Sequence, residues 1–122
     1  MRVLLATNHP IARAAARPAL LAHPGVHELL DASIELRGLE RVDVDLVVVE
    51  QSVDRVSTSG LARIAAICPA ARVVAMALAV GDEYSWVMLR RARDGYQVDA
   101  MGVSTIGAML ARATAGQVAP AA

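Results

Sequence analysis

Three consecutive stretches decide the fold: Arg72-Val73-Val74-Ala75-Met76-Ala77-Leu78, then Asp82 through Arg90-Arg91-Ala92-Arg93, then Tyr96-Gln97-Val98. The first is β-branched and apolar and reads as a strand. The second opens on Asp82 and Glu83 and closes on three arginines, the charge order that a helix dipole favours. Asp94-Gly95 reads as its stop, and Tyr96 to Val98 as a short strand beyond it. Strand, helix and strand in succession imply parallel pairing through a right-handed crossover.

The same alternation extends outward from this stretch. Leu46-Val47-Val48-Val49 is the strongest strand signal in the chain, apolar on both faces as a central parallel strand should be, and it ends on Glu50. Ser52 to Ser59 reads as a polar loop. Gly60 to Cys68 then sets Leu61, Ile64, Ala65 and Cys68 at helical spacing before Pro69 stops it. Nearer the start, Val3 to Ala6 reads as a buried strand, and Asn8 as the cap of a helix from Pro10 towards Ala22, with Pro18 expected to kink it. His23-Pro24-Gly25 ends that helix. Val26 to Asp31 reads as a second strand, Ser33 to Arg41 as a short second helix, and Ser104 to Thr114 as a fifth helix. The expected architecture is α/β, a doubly wound five-stranded parallel sheet covered by helices on both faces. In such sheets ligands sit beyond the carboxyl ends of the strands, which directs attention to Thr7, Asn8, Glu50, Ala77 and Asp99.

Composition narrows the chemistry. At 122 residues, 56% hydrophobic and 20% charged, the chain is long enough for one core and too apolar to be disordered. Residues 1–115 read as one domain and 116–122 as a linker or tail. With two Tyr, one Trp and no Phe, the core must be built from aliphatic side chains and Met, and no base-stacking surface is available. The basic residues are twelve Arg and no Lys, which excludes a Walker phosphate loop, a Schiff base and a lysine general base. Twelve acids balance them, so no overall field draws the domain to nucleic acid or membrane. Cys68 is alone, which points to a cytoplasmic protein with an inert packed thiol. His9, His23 and His27 lack a metal-ligand spacing, so neither metal nor cofactor is expected. No nucleophile and base pair is visible, and an enzyme is the least favoured class.

The opening Met1-Arg2-Val3-Leu4-Leu5-Ala6-Thr7-Asn8-His9-Pro10 resembles that of a bacterial response-regulator receiver domain of the NarL/LuxR type. The likeness continues through His23-Pro24-Gly25-Val26, Asp45 to Glu50, Ala71 to Val74 and Arg93-Asp94-Gly95-Tyr96, and spans roughly residues 1 to 115. It implies a flavodoxin-like receiver fold with strand order 2-1-3-4-5 and the role of a regulatory switch. A working receiver needs two acids for Mg²⁺, an Asp to accept phosphate, a hydroxyl and a Lys. Here those positions hold Thr7 and Asn8, Glu50, Ala77 and Asp99, so the resemblance implies a degenerate phosphorylation site and a phosphorylation-independent pseudo-receiver. Glu50 is either a built-in mimic of the active state or relaxed sequence; if it lies beside Asp99, either one carboxylate has a raised pKa or a cation such as Arg55 neutralises the pair. Tyr96 falls on the family's movable switch aromatic.

The resemblance further implies two-component signalling and transcription regulation, with a helix-turn-helix DNA-binding domain attached beyond Ala122. The small residues Gly107, Ala108, Ala111 and Ala115 on the last helix either let it pack closely on the sheet or form a homodimer face. The rival readings are a module that senses a small ligand near Thr7, Glu50 and Asp99, and a stand-alone adaptor for a protein partner.

Overall fold

A computed structural model describes residues 1–36, 38–50 and 58–115; the expected polar loop, Arg55 and the tail fall wholly or largely outside them. The elements in chain order are β1 (Arg2–Ala6), α1 (Pro10–Ala22), β2 (Glu28–Ala32), β3 (Leu46–Glu50), α2 (Thr58–Ile67), β4 (Arg72–Val80), β5 (Glu83–Ala92), β6 (Gly95–Ser104) and α3 (Ile106–Ala115). They build one six-stranded sheet of order β2-β1-β3-β4-β5-β6. β2, β1, β3 and β4 pair in parallel, whereas β5 and β6 are antiparallel additions.

This corrects the expected five-stranded, all-parallel, doubly wound flavodoxin-like sheet. The segment expected to be a crossover helix is β5, and the fifth strand belongs to an antiparallel hairpin. The reason lies in the alternation Tyr84, Trp86, Met88, which puts three large side chains on one face of a strand, whereas a helix would turn Trp86 to the side opposite Tyr84 and Met88. All three are buried, at 6%, 5% and 1% exposure. Burying each stabilises by roughly 1.5–3 kcal/mol, against about 0.3–1 kcal/mol for charges suited to a helix dipole. Two tight turns complete the ribbon. Gly81 and Asp82 link Val80 to Glu83, with φ +59° at Gly81, as a two-residue hairpin turn with glycine first demands. Arg93 and Asp94 link Ala92 to Gly95.

The second expected helix is also absent. Residues 33–36 and 38–41 form turns around Leu36, which is fully buried and adopts φ 55°. Leu36 donates its N–H to Ser33 O at 3.0 Å, and its side chain joins Val44 against the sheet. Burial of that leucine outweighs the roughly 1–2 kcal/mol cost of a left-handed backbone.

Two cores sandwich the sheet. On one face Val3, Leu5, Leu46, Val48, Val74 and Met76 meet Ala16 and Leu20 of α1 and Met109, Leu110 and Ala113 of α3. On the other, Leu4, Val47, Val49, Val73, Val87 and Leu89 meet Ile64, Ile67 and Cys68 around α2. Trp86 fastens α3 to the antiparallel ribbon. Its indole N–H donates to Ser104 Oγ at 2.7 Å, and the Arg112 guanidinium lies 6.0 Å from its ring centre.

Gly102 makes room for that ring: a Cβ there would stand 3.2 Å from Trp86 Cζ2. Gly102→Val should therefore displace the indole and cost about 1–3 kcal/mol by overpacking. The expected result is a lower melting temperature together with a changed emission from Trp86, the sole tryptophan. An unshifted melt would mean that the ring does not rest on β6.

Candidate functional site

Of the residues expected to form a degenerate phosphorylation site, Thr7, Asn8 and Glu50 follow or end the neighbouring strands β1 and β3 at the carboxyl edge of the parallel half, whereas Asp99 lies apart. Thr7 is buried, continues the sheet by donating its N–H to Ala32 O at 3.0 Å, and accepts the His9 N–H on Oγ1 at 3.1 Å. Asn8 bridges two loops: its Oδ1 accepts the Ile34 N–H at 2.9 Å, while Nδ2 donates to both Glu35 carboxylate oxygens at 3.1 Å. Asn8 is thus a loop latch, and His9 takes the N-cap place of α1 without a side-chain cap bond. Beside them Arg13 Nη2 donates to Thr7 O at 2.6 Å and Ala32 O at 3.1 Å, and Arg13 and Arg17 both pair with Asp31. The polar side chains that line the shallow depression at Thr7, Asn8, Arg13 and Asp31 are thus engaged in internal ion pairs and hydrogen bonds.

Glu50 and Asp99 are kept apart by topology. Glu50 is in register with Met76, Trp86 and Gly102, so three strand spacings, about 14 Å, separate its strand from β6. Asp99 sits in the β5–β6 irregularity between Ala100, paired with Met88, and Val98, paired with Leu89. Ala77 lies opposite Ser85, one residue past the position in register with Glu50 and so on the other face of the sheet. No cluster of three or more His, Cys, Asp or Glu able to hold a metal occurs among the described residues.

Tyr96 packs against the α2-side core at the far end of the sheet from Glu50. Its hydroxyl is buried without a hydrogen-bond partner. Burial pushes its pKa up, Arg91 opposes this, and Cys68 adds to it. Cys68 itself is buried, with its thiol pushed up by desolvation. Gly107, Ala108, Ala111 and Ala115 are all exposed, so they are not what seats α3 on the sheet; Met109, Leu110 and Ala113 do that.

A different cleft gathers at the carboxyl end of β3, on the face covered by α1 and α3. A cavity of about 220 Å³ is lined by His9, Ile11, Ala12, Ala15, Glu50, Leu78 and Tyr84. It adjoins a second of about 310 Å³ that shares Ala15, Leu78 and Tyr84 and extends past Ala19, Gly81 and Asp82 to Thr105 and Gly107. Alanines of α1 form the wall because Ala12, Ala15 and Ala19 fall on one helical stripe beside the core-facing Ala16 and Leu20. Ile11 and Leu78 stand at the rim, 81% and 58% exposed. Tyr84 has its pKa raised, first by burial and then by Asp82, so its hydroxyl stays a proton donor at neutral pH. The charged lining groups are the acids Glu50 and Asp82, with His9 the only basic side chain among the lining residues.

Of the residues selected from sequence, the groove contains Glu50 and Gly107. Tyr84, Leu78 and Ile11 were missed. The available signal was the exposed-phase Ile11 and the two-residue turn that carries Leu78 and Tyr84 to one place. Compared with protein-family models, curated proteins and solved structures, the chain matches none of them. No helix among the described residues is long and apolar enough to cross a membrane.

Tyr96→Phe should remove an unsatisfied buried hydroxyl and leave the fold as stable as before or more so by about 1 kcal/mol. The raised acids also set a pH window. Tyr84, Tyr96 and Cys68 ionise more readily unfolded than folded, so stability is full below the ordinary thiol and phenol ranges and declines as pH rises through and beyond them. Urea titrations between pH 7 and 11 check this, with a shallower alkaline decline expected for Tyr96→Phe. A loss of stability in that variant at pH 7 would contradict it.

Proposed function

We propose that this chain is a non-catalytic regulatory domain that takes an apolar, amine-bearing small ligand into the groove between α1, the β4–β5 turn and the start of α3. The observation that carries this reading is the placement of exposed Ile11 and Leu78 around a cleft lined by Glu50, Asp82 and Tyr84. Apolar walls would supply most of the binding free energy, and a few polar groups would orient the ligand. Glu50 accepts a charge-assisted hydrogen bond from the amine, and α1 and α3 carry occupancy to whatever is attached. A lone buried Cys68 suits a reducing, cytoplasmic setting.

The receiver-type role is a second reading, favoured by the order β2-β1-β3-β4 of the parallel half and by α1 and α3 sharing a face. In it the domain governs an attached helix-turn-helix output without phosphotransfer, since Thr7 and Asn8 serve the loops. Incubation with acetyl phosphate and Mg²⁺ should leave the intact mass unchanged; a stoichiometric phosphate adduct would overturn the phosphorylation-independent part of it.

Ligand binding is tested by titrating a panel of hydrophobic amines, with the matching alcohols and carboxylic acids, while recording Trp86 emission and backbone chemical shifts. Amines should bind more tightly than acids. Glu50→Gln should weaken them about tenfold, the equivalent of about 1.4 kcal/mol. Ala15→Phe, at an exposed position, should block them without lowering the melting temperature. No amine binding below millimolar concentration, or binding indifferent to both substitutions, rejects the groove as the site.

A further inference from the structure

We propose that β6 pairs antiparallel with β6 of a second copy of this chain, joining two six-stranded sheets into one. β6 ends the strand order, and among the described residues no strand pairs with its outer side. It is ten residues long, whereas β1, β2 and β3 have five each. Solitary edges are normally kept short or guarded by charged residues, Pro or bulges. β6 has no Lys, Arg or Pro, and its guards are confined to one place, Asp99 and the irregularity beside it. Val98, Met101 and Val103 are 59%, 65% and 57% exposed.

The irregularity at Asp99 puts those side chains in phase. Val98 lies opposite Leu89 and Met101 opposite Val87, both members of the α2-side core, so Val98, Met101 and Val103 share that face with Tyr96. Ala100, Gly102 and Ser104 face the other way, opposite Met88, Trp86 and Tyr84.

A second copy fits this edge because its pattern is its own complement. A two-fold axis between Asp99 and Ala100 sets Tyr96 opposite Val103 of the second copy and Val98 opposite Met101 of the second copy, and the reverse. Gln97 then meets Gly102, and Gly95 meets Ser104. All ten residues of each strand are used, over about 34 Å, and each pair on the α2 side is apolar with apolar. A slip of one residue sets Val98 against Ala100 or Gly102, which face the opposite side. An unrelated segment would have to reproduce this spacing, including the extra residue, whereas a second copy already has it. The two Asp99 carboxylates approach each other at the axis, which moderates the affinity.

Sedimentation velocity of the full chain at tens of micromolar should show a dimer. Val98→Lys with Met101→Lys should give a folded monomer whose melting temperature, unlike that of the dimer, does not depend on protein concentration, while Ala111→Trp on the outer side of α3 should leave the dimer intact. The double variant Val98→Cys, Met101→Cys should form a disulfide-linked dimer on mild oxidation, and neither single variant should. Asp99→Asn should tighten association about threefold by removing a like-charge contact, and it provides a reading even if the lysine variants fail to fold. A monomeric wild type, a dimer that survives both lysines, a dimer broken by Ala111→Trp, or association unaltered by Asp99→Asn overturns the proposal. These readouts use no ligand, so their failure is distinct from failure of the groove.

Discussion

The arrangement depends on β3 being apolar on every side. Leu46, Val47, Val48 and Val49 are each 3% exposed or less and offer nothing to water on either face. Such a strand is stable only with hydrogen-bonded neighbours at both edges and a cover on both faces. β1 and β4 supply the edges, α1 with α3 one cover, and α2 with the Leu36 and Val44 segment the other. The chain needs no further crossover helix after β4 to satisfy this. What it needs is a way to finish the sheet beyond β4, and the antiparallel ribbon finishes it while delivering α3 to the correct face.

How much of this was legible in the sequence follows from which force shaped each segment. Val3–Ala6, Leu46–Val49 and Arg72–Leu78 stood out because burial on both faces leaves an uninterrupted apolar run. The helix from Pro10 to Ala22 stood out through Pro at its first turn and the histidine-proline-glycine stop. The ribbon was misread because end charges on residues 82–93 fit a helix, while its true signature was carried by two turns. Gly81-Asp82 and Asp94-Gly95 bracket eleven residues in which Tyr84, Trp86 and Met88 alternate, which is hairpin chemistry on both sides of a strand. Weighing the burial of three large side chains above the helix dipole would have reversed the choice. The segment around Leu36 was unreadable for another reason: its conformation is imposed by one tertiary contact that leaves no periodic trace.

The site was less legible than the fold because its residues act through space and not through spacing. Rules for parallel sheets pointed to the loops after β1 and β3, and Glu50 does open into the groove there. The same rules placed Asp99 nearby only because they assumed a parallel fifth strand. Once β5 and β6 run antiparallel, Asp99 moves three strands away and Tyr84 takes a place at the groove. Thr7 and Asn8 illustrate the opposite error, in which positions that look chemical are consumed by local hydrogen bonds.

The ribbon also explains why one short segment serves both surfaces. Tyr84 lies in the groove, Trp86 two residues on rests against Gly102, and Gly102 lies on the outermost strand. Because successive residues of β5 alternate faces, the side chains that build the groove wall and hold α3 belong to one row, while the row behind them, Val87 and Leu89, supports the opposite face of β6. One wall of the groove is therefore a paired strand, while the β4–β5 turn at Gly81 and Asp82 closes its end. The same strand pairs with β6 along its other edge and so sets the phase change at Asp99, and with it the apolar row of Tyr96, Val98, Met101 and Val103 along the sheet edge.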